Sequence, residues 1–318
     1  MKNVTQNPAY FHLTLFGDYG RLRYLFFMLS LLIYIMIISA NMVIIIIIML
    51  ERSLHQPMYI FICCLSVNSL YGSAGFFPRF LVDLLSDTHF ISRTSCFIQI
   101  HVIYTYVSCE FTILGVMAYD RFVAICQPLH YHTKMTIRKA VFLWGIAVVY
   151  PVFTVTYALV LTSLLSLCGN ELPRIFCANR AVVHHSCGDV THSVIVGYII
   201  FFTTIFVPLF FILSSYVQIL IVCKRGSAEL RGKALQTCLP HLVTFVVYSC
   251  SVFVEMSISQ FNTGQINPVV TAIISLEYLM VPSINNPLIY GLKLPKIRAA
   301  VSRHFKIRTK IVLTSQPK

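Results

Sequence analysis

Seven long apolar segments constrain the fold of this chain more than any other feature of its sequence. They lie at residues 24–50, 57–83, 97–126, 140–163, 193–223, 235–259 and 268–292. About 20 apolar residues in a helix cross a bilayer core, and each segment reaches that length. Charged residues make up 11% of the chain, against about 25% in a soluble domain. We therefore predict an all-α membrane protein, a seven-transmembrane helix bundle over residues 24–292.

The net charge of +13 at pH 7 follows from the orientation of such a bundle. An odd number of spans puts the two termini on opposite sides, and basic residues favour the cytoplasmic side. With segment 1–23 outside and tail 293–318 inside, nine basic residues in loops and eight in the tail, 17 of the 24 Lys and Arg, are cytoplasmic. We therefore predict a plasma-membrane protein with an extracellular N-terminus, a basic face that attracts anionic membrane lipid, and no role for nucleic acid.

The N-terminal segment, residues 1–23, lacks the short apolar core and small-residue site of a cleaved secretory signal. We therefore expect the first span to act as its own insertion signal. The triplet Asn3-Val4-Thr5 is a glycosylation sequon on the predicted extracellular side, so Asn3 is the candidate glycosylation site.

The C-terminal tail, residues 293–318, has the pattern of an amphipathic helix that lies along the membrane. Apolar residues recur at helical spacing, at Leu294, Ile297, Val301 and Phe305. Basic residues surround them, namely Lys293, Lys296, Arg298, Arg303 and Lys306. A short cytoplasmic helix is expected directly after the seventh span.

Four of the eleven cysteines fall on the predicted extracellular side: Cys96, Cys168, Cys177 and Cys187. An even number on the oxidising side predicts two disulfides, and the spacing alone leaves three pairings open. The run from His184 to Cys187 does not supply four ligands of set geometry, so we predict no metal site.

Five motifs, in order along the whole chain, resemble those of the odorant receptors among the rhodopsin-like G-protein-coupled receptors. They are LHQPMYIFICCLS at the second span, MAYDRFVAICQPLHY ending the third, SSYVQIL closing the fifth, KALQTCLPHL opening the sixth and NPLIYGLKLPKIR closing the seventh. The GLKLPKIR ending is similar to that of fish members. The disulfide pattern of the family would join Cys96 to Cys177 and Cys168 to Cys187.

The resemblance implies an activation switch at the cytoplasmic end of the bundle. In the resting receptor Asp120 holds Arg121, and movement of the helices frees the arginine to engage the G protein. An arginine at that depth must be paired or reach water. The remaining members of the switch are Tyr216, Asn286, Pro287 and Tyr290. The proline breaks the helical hydrogen-bond ladder and allows the seventh span to flex.

Glu110 lies eleven residues before Arg121, which is about three helical turns, so both point to the same side of the bundle. A carboxylate near the middle of a membrane is costly and usually functional. In the family it lies close to an aspartate of the second span, and the two can hold a sodium ion. This chain has Asn68 at that position, so Glu110 is expected to be protonated or hydrogen-bonded to Asn68.

The family's ligand pocket lies in the outer half of the bundle, and a small odorant needs a dry cavity with few polar anchors. The candidate ligand-binding residues share helix faces at that depth: Tyr104, Ser108 and Phe111 on the third span, Thr204 on the fifth, Tyr248, Ser251 and Glu255 on the sixth, and Leu279 on the seventh. Glu255 has two possible positions. It faces the cavity and favours an amine ligand, or it lies at the water boundary and is solvated.

These expectations describe an odorant receptor that binds a small odorant, activates a stimulatory G protein, needs no cofactor and catalyses no reaction. A transporter or channel would show internal repeats, helices broken at mid-membrane or a polar series along a pore. An intramembrane hydrolase would need an acid–base pair at one depth, which Asn68 opposite Glu110 does not provide. A rhodopsin-like receptor for a non-odorant small ligand remains the alternative.

Overall fold

The computed structural model describes residues 7–17, 20–225, 228–260 and 267–314. Within them, seven helices are long and apolar enough to cross a membrane. Spans 1 to 4 are Leu22–Leu50, Pro57–Leu85, Arg93–Cys126 and Ile137–Ser163, span 5 is Thr191–Lys224, and spans 6 and 7 lie in the helices Ala228–Gln260 and Pro268–Lys293. The predicted seven-transmembrane helix bundle is confirmed. The sequon residue Asn3 lies outside the described residues.

Spans 2, 3 and 4 begin where the sequence supplies a capping side chain or a proline. At the start of span 3, Ser92 Oγ accepts a hydrogen bond from the Ser95 N–H at 3.2 Å. Before span 4, Thr136 Oγ1 accepts from the Lys139 N–H at 3.3 Å. Span 2 begins with Pro57, whose missing N–H has no partner to lose in a first turn. These local signals mark where these three spans begin.

Span 5 contains a π-helical turn, Phe202–Phe206, between the α-helical segments Thr191–Phe201 and Val207–Arg225. Thr204 lies in this turn, is buried, and donates to the Ile200 carbonyl at 2.6 Å. Such a turn interrupts the regular α-helical ladder and is frequent at functional sites. The turn thus places a threonine hydroxyl on the inner face of span 5.

A three-stranded sheet closes one end of the bundle, called here the sheet end. β1 (Tyr10–Leu13) lies in the middle, antiparallel to β2 (Phe90–Ser92) and parallel to β3 (Glu171–Leu172). Alternate residues of β1, Phe11 and Leu13, are fully buried in an apolar cluster beneath the sheet. The segment before span 1, for which the sequence predicted no strand, is therefore part of the fold.

Two disulfides hold the loop between spans 4 and 5 at the sheet end. Cys96, at the start of span 3, is joined to Cys177 with the Cα atoms 5.4 Å apart. Cys168 is joined to Cys187 with the Cα atoms 5.5 Å apart. This is the pairing that the family resemblance implied. The Cys177 N–H also donates to Gln99 Oε1 at 2.9 Å, so the loop is tied to span 3 twice.

The opposite end of the bundle carries Arg121 and is called here the arginine end. The chain there continues into a helix, Pro295–Thr314, and the helix predicted for the tail is confirmed. The apolar residues of its pattern that the structure describes, Leu294, Ile297 and Val301, pack against the core; the side chains of Phe305 and Lys306 lie outside the described part. Arg303 of this helix lies 3.5 Å from the carboxylate of Glu51, just after span 1.

Spans 2 and 3 approach each other closely because span 2 carries two glycines at the contact. A β-carbon on Gly72 would overlap the ring of Tyr106, and one on Gly75 would overlap the side chain of Val102. Gly145 of span 4, by contrast, has no atom within 4 Å of the place where a β-carbon would stand. The two glycines of span 2 are therefore required for packing, whereas Gly145 is not.

We expect Gly72→Ala to destabilise the bundle by about 1–3 kcal/mol, because an added methyl forces side chains out of their packed positions. The matched change Gly145→Ala should be neutral or stabilising, since glycine inside a helix costs about 0.5–1 kcal/mol relative to alanine. The thermal midpoint of the purified proteins measures both changes. Equal midpoints for the two variants would show that the close approach is not needed.

Candidate functional site

Asp120 and Arg121 form an ion pair at the arginine end of span 3. The Arg121 Nε donates to Asp120 Oδ2 at 2.9 Å, and its Nη2 makes a second, shorter contact with the same oxygen. The other oxygen, Oδ1, accepts from the Tyr131 hydroxyl at 3.0 Å. The aspartate is fully buried, while 12% of the arginine side chain is exposed. The arginine is therefore the accessible member of the pair.

Tyr131 lies in a short helix, Tyr131–Lys134, just beyond span 3. Burial raises the pKa of Tyr131, and the charge of Asp120 raises it further. The phenol therefore keeps its proton at neutral pH and serves as the donor to Asp120. The sequence motif that ends at Tyr131 did not predict the hydrogen bond between Tyr131 and Asp120. The helix of span 3 ends between these residues, so helical spacing does not relate their positions.

The family resemblance implies Tyr216 and Tyr290 as partners of Arg121 after the arginine leaves Asp120. Here Arg121 is paired with Asp120, and within the described residues neither tyrosine is hydrogen-bonded to it. The Tyr216 hydroxyl is instead hydrogen-bonded to Nδ1 of His241. The Nε2 of His241 lies 3.2 Å from the carbonyl oxygen of Leu114. Because a carbonyl can only accept, Nε2 carries the hydrogen and Nδ1 accepts from the tyrosine. His241, which the sequence did not single out, thus links spans 3, 5 and 6.

A second polar cluster lies in the middle of the bundle and joins spans 2, 3 and 7. Glu110 is fully buried, and its Oε2 accepts from Asn68 Nδ2 at 2.8 Å. Its Oε1 accepts from Asn286 Nδ2 at 2.6 Å, and the same amide lies 3.4 Å from Ser69 Oγ. Pro287 follows inside the helix of span 7. Each oxygen of the Glu110 carboxyl group thus has an amide donor from a neighbouring span.

The sodium ion implied by the family resemblance does not fit these residues. Asn68 Nδ2 also donates to the Tyr106 carbonyl oxygen at 3.0 Å. Since a carbonyl only accepts, the amide nitrogen of Asn68, and not its oxygen, faces Glu110. Hard cations require oxygen ligands, and this chain offers one carboxylate where the family has two. The two amides hold the positions next to Glu110 that a cation would need.

Buried hydrogen bonds extend from this cluster to span 1. The Tyr106 hydroxyl lies 3.1 Å from Ser283 Oγ on span 7. Asn41 of span 1 is fully buried, and its Nδ2 donates to the Ser283 carbonyl at 3.1 Å and to the Ile37 carbonyl at 2.9 Å. Spans 1, 2, 3 and 7 are therefore joined by polar contacts in the buried interior, where an unpaired polar group is costly.

A cavity of about 440 Å³ lies near the sheet end, enclosed by spans 3 to 7 and the loop between spans 4 and 5. Ligand pockets commonly measure about 300–1,000 Å³. The walls are mostly aliphatic and aromatic, with polar groups that include the hydroxyls of Tyr104, Ser108, Thr204 and Tyr278 and the exposed side chains of Arg180 and His184. The described lining residues include no carboxylate, and the space fits a small, mostly apolar molecule.

Three of the eight predicted ligand-binding residues, Tyr104, Ser108 and Thr204, line this cavity. The other five, Phe111, Tyr248, Ser251, Glu255 and Leu279, are buried outside its lining. The rings of Phe111 and Tyr248 lie against each other with centroids 4.7 Å apart, and the Tyr248 hydroxyl donates to the Val107 carbonyl at 2.8 Å. Helical spacing identified the inward faces, but depth along a face decides whether a residue meets the cavity.

Glu255 is buried and paired inside the protein. Its Oε1 accepts from Arg174 Nη1 at 2.8 Å, and its Oε2 accepts from Ser275 Oγ at 3.2 Å. Arg174 comes from the loop between spans 4 and 5 and is 3% exposed, while Glu255 is 5% exposed. The expectation of a solvated carboxylate at the water boundary is therefore wrong. An amine ligand would have to compete with Arg174 for Glu255.

The chain matches a family model described as olfactory receptor over residues 30–308. Olfactory receptor 51L1 of Homo sapiens is 34% identical over 284 residues, which cover 87% of this chain and 88% of that one. Olfactory receptor 10A6 of Homo sapiens is 34% identical over 301 residues, covering 92% and 93%. Olfactory receptor 5P60 of Mus musculus is 34% identical over 287 residues, covering 89% and 88%.

The fold is similar to the crystal structure of squid rhodopsin, with a TM-score of 0.73 at 16% sequence identity over 98% of this chain and 93% of that chain. This likeness concerns the fold alone. Together with the seven apolar helices and the matched relatives, it makes this chain a multi-pass membrane protein.

We expect the thermal midpoint of the purified wild-type protein to be the same in sodium chloride and in choline chloride, because amides already satisfy Glu110. Asn68→Asp should add the second carboxylate and make the midpoint rise with sodium, by about 2–4 °C for each kcal/mol of binding. Combining it with Glu110→Gln restores a single acid and should abolish the rise. A sodium-dependent midpoint in the wild type would contradict the absence of a sodium site.

Proposed function

The chain belongs to the olfactory receptor family, whose members are signalling receptors and not enzymes, and we propose that it binds a small odorant in the cavity near the sheet end and activates a stimulatory G protein. The family implies a small-molecule ligand and a G-protein partner. The cavity is the observation that carries the proposal. It encloses about 440 Å³ between five spans, with mostly apolar walls and a few hydroxyl groups.

We infer that the sheet end faces the outside of the cell and the arginine end faces the cytoplasm of the plasma membrane. Both disulfides lie at the sheet end, and disulfides persist on the oxidising side of a membrane. The loops and tail assigned to the arginine end contain nine and eight basic residues, 17 of the 24 Lys and Arg, as the positive-inside rule requires of a cytoplasmic face.

A ligand in the cavity contacts several spans at once, since Ser108 lies on span 3, Thr204 on span 5, Met256 on span 6 and Tyr278 on span 7. A ligand shifts a conformational equilibrium only through a difference in its affinity for the two states. The odorant therefore favours the conformer in which spans 5 to 7 close around it. In that conformer Arg121 leaves Asp120 at the other end of span 3 and engages the G protein.

Gly197 allows a test that fills the cavity without disturbing its walls. It lines the cavity on span 5, and no atom lies within 4 Å of the place where a β-carbon would stand. We expect Gly197→Leu to weaken the response to an odorant agonist by about tenfold or more, the change produced by 1.4 kcal/mol. The cyclic-AMP rise in cells that express the receptor measures the response.

Gly145→Leu is the matched control, because Gly145 also faces open space but does not line the cavity. It should retain the wild-type response. Equal responses of the two variants would place the ligand elsewhere. Cells that lack the stimulatory α-subunit should give no cyclic-AMP rise, and a rise in those cells would refute the proposed coupling.

A further inference from the structure

Arg174 is a loop arginine whose charge lies inside the bundle. It follows β3 in the loop between spans 4 and 5, three residues before the disulfide-bonded Cys177. Its side chain is 3% exposed, and that of its partner Glu255 is 7% exposed. Long basic side chains near a water boundary normally extend toward water. This one instead reaches a carboxylate on span 6, so the loop supplies a cation to a buried acid.

The ion pair is complete without a ligand. One Glu255 oxygen accepts from Arg174 at 2.8 Å, and the other accepts from Ser275 of span 7 at 3.2 Å. A buried charge is tolerated only when it is paired and hydrogen-bonded. Both conditions are met here by the protein itself, so Glu255 carries no unpaired charge for a ligand to neutralise.

The ion pair lies next to residues that line the cavity. Tyr104 and Tyr278 line the cavity, Tyr104 interacts electrostatically with both members of the pair, and Tyr278 with Glu255. Met256, next to Glu255 in sequence, also lines the cavity. The basic side chains among the described lining residues are Arg180 and His184. A protonated amine in this cavity would lose its hydration without gaining a counter-charge.

We propose that Arg174 is a specificity-determining residue, an internal cation that occupies the carboxylate of Glu255 and so excludes amine ligands. The inference rests on the proposed function, because it concerns the same cavity. The cavity then selects neutral and acidic odorants over amines of the same size. Removing the arginine side chain leaves Glu255 without its counter-charge, next to the part of the cavity wall that Met256 and Tyr278 form, so the receptor becomes responsive to amines.

The proposed exclusion of amines can be tested with three probes of six carbons each, 1-hexanol, 1-hexylamine and hexanoic acid. The measurement is the cyclic-AMP rise in cells that express each receptor variant at the same surface level. Arg174→Ala should become more sensitive to hexylamine than the wild type by about tenfold or more, the effect of a 1.4 kcal/mol interaction. The double variant Arg174→Ala/Glu255→Gln should lose that gain. The matched control Arg174→Ala/Glu277→Gln should keep it, because Glu277 is hydrogen-bonded to Ser251 at 2.6 Å, whereas Glu255 is the acid that pairs with Arg174.

No gain toward hexylamine in Arg174→Ala, or a gain that survives in the Glu255→Gln double variant, overturns the inference. If Arg174→Ala does not reach the cell surface, the reciprocal variant Glu255→Gln provides the test. This variant leaves Arg174 without its partner, so its sensitivity to hexanoic acid should exceed that of the wild type by about tenfold or more. If neither single variant reaches the surface, the pair serves folding only and the specificity role is rejected. Gly197→Leu with a neutral agonist tests the proposed binding site separately, because it leaves the ion pair intact.

Discussion

Two adjacent opposite charges at the arginine end of span 3, Asp120 and Arg121, form the ion pair on which the proposed signalling mechanism depends. Asp120 is fully buried and accepts from two donors, the Arg121 guanidinium and the Tyr131 hydroxyl. Removing one partner of a buried pair is costly, because it leaves an uncompensated charge. Arg121 therefore leaves Asp120 only when a movement of the helices offers it a new partner. We propose that this condition makes the pair a two-state element.

Span 3 connects this element to the cavity. Ser108 lines the cavity, Glu110 holds the amides of spans 2 and 7, and the Leu114 carbonyl accepts from His241 of span 6. From Ser108 to Arg121 the helix rises about 20 Å, at 1.5 Å per residue. A shift of span 6 or 7 around a ligand must rearrange these buried hydrogen bonds before it reaches the arginine end. In the proposed mechanism, these polar contacts along span 3 couple the ligand site to the G-protein site.

The spans could be predicted because an apolar run of about 20 residues crosses a bilayer as a helix. The tail helix could be predicted because apolar residues with a 3.6-residue period form one face of a helix. The sheet could not, since β1 has four residues and its partners are distant in the chain. Arg174 lies in a loop without periodicity, 81 residues from Glu255. Within the site, helical spacing selected both Ser108, which lines the cavity, and Phe111, which does not. Spacing predicts the direction of a side chain but not its depth in the bundle.

The most direct test of the central claim is the ligand-independent cyclic-AMP signal of Asp120→Asn at a surface level matched to the wild type. Asparagine keeps the shape of the side chain but removes the charge that holds Arg121, so the signal should rise several-fold. Adding Arg121→Ala to this variant should return the signal to background while the protein still reaches the surface. A signal no higher than that of the wild type, or a double variant that still signals, would contradict the switch.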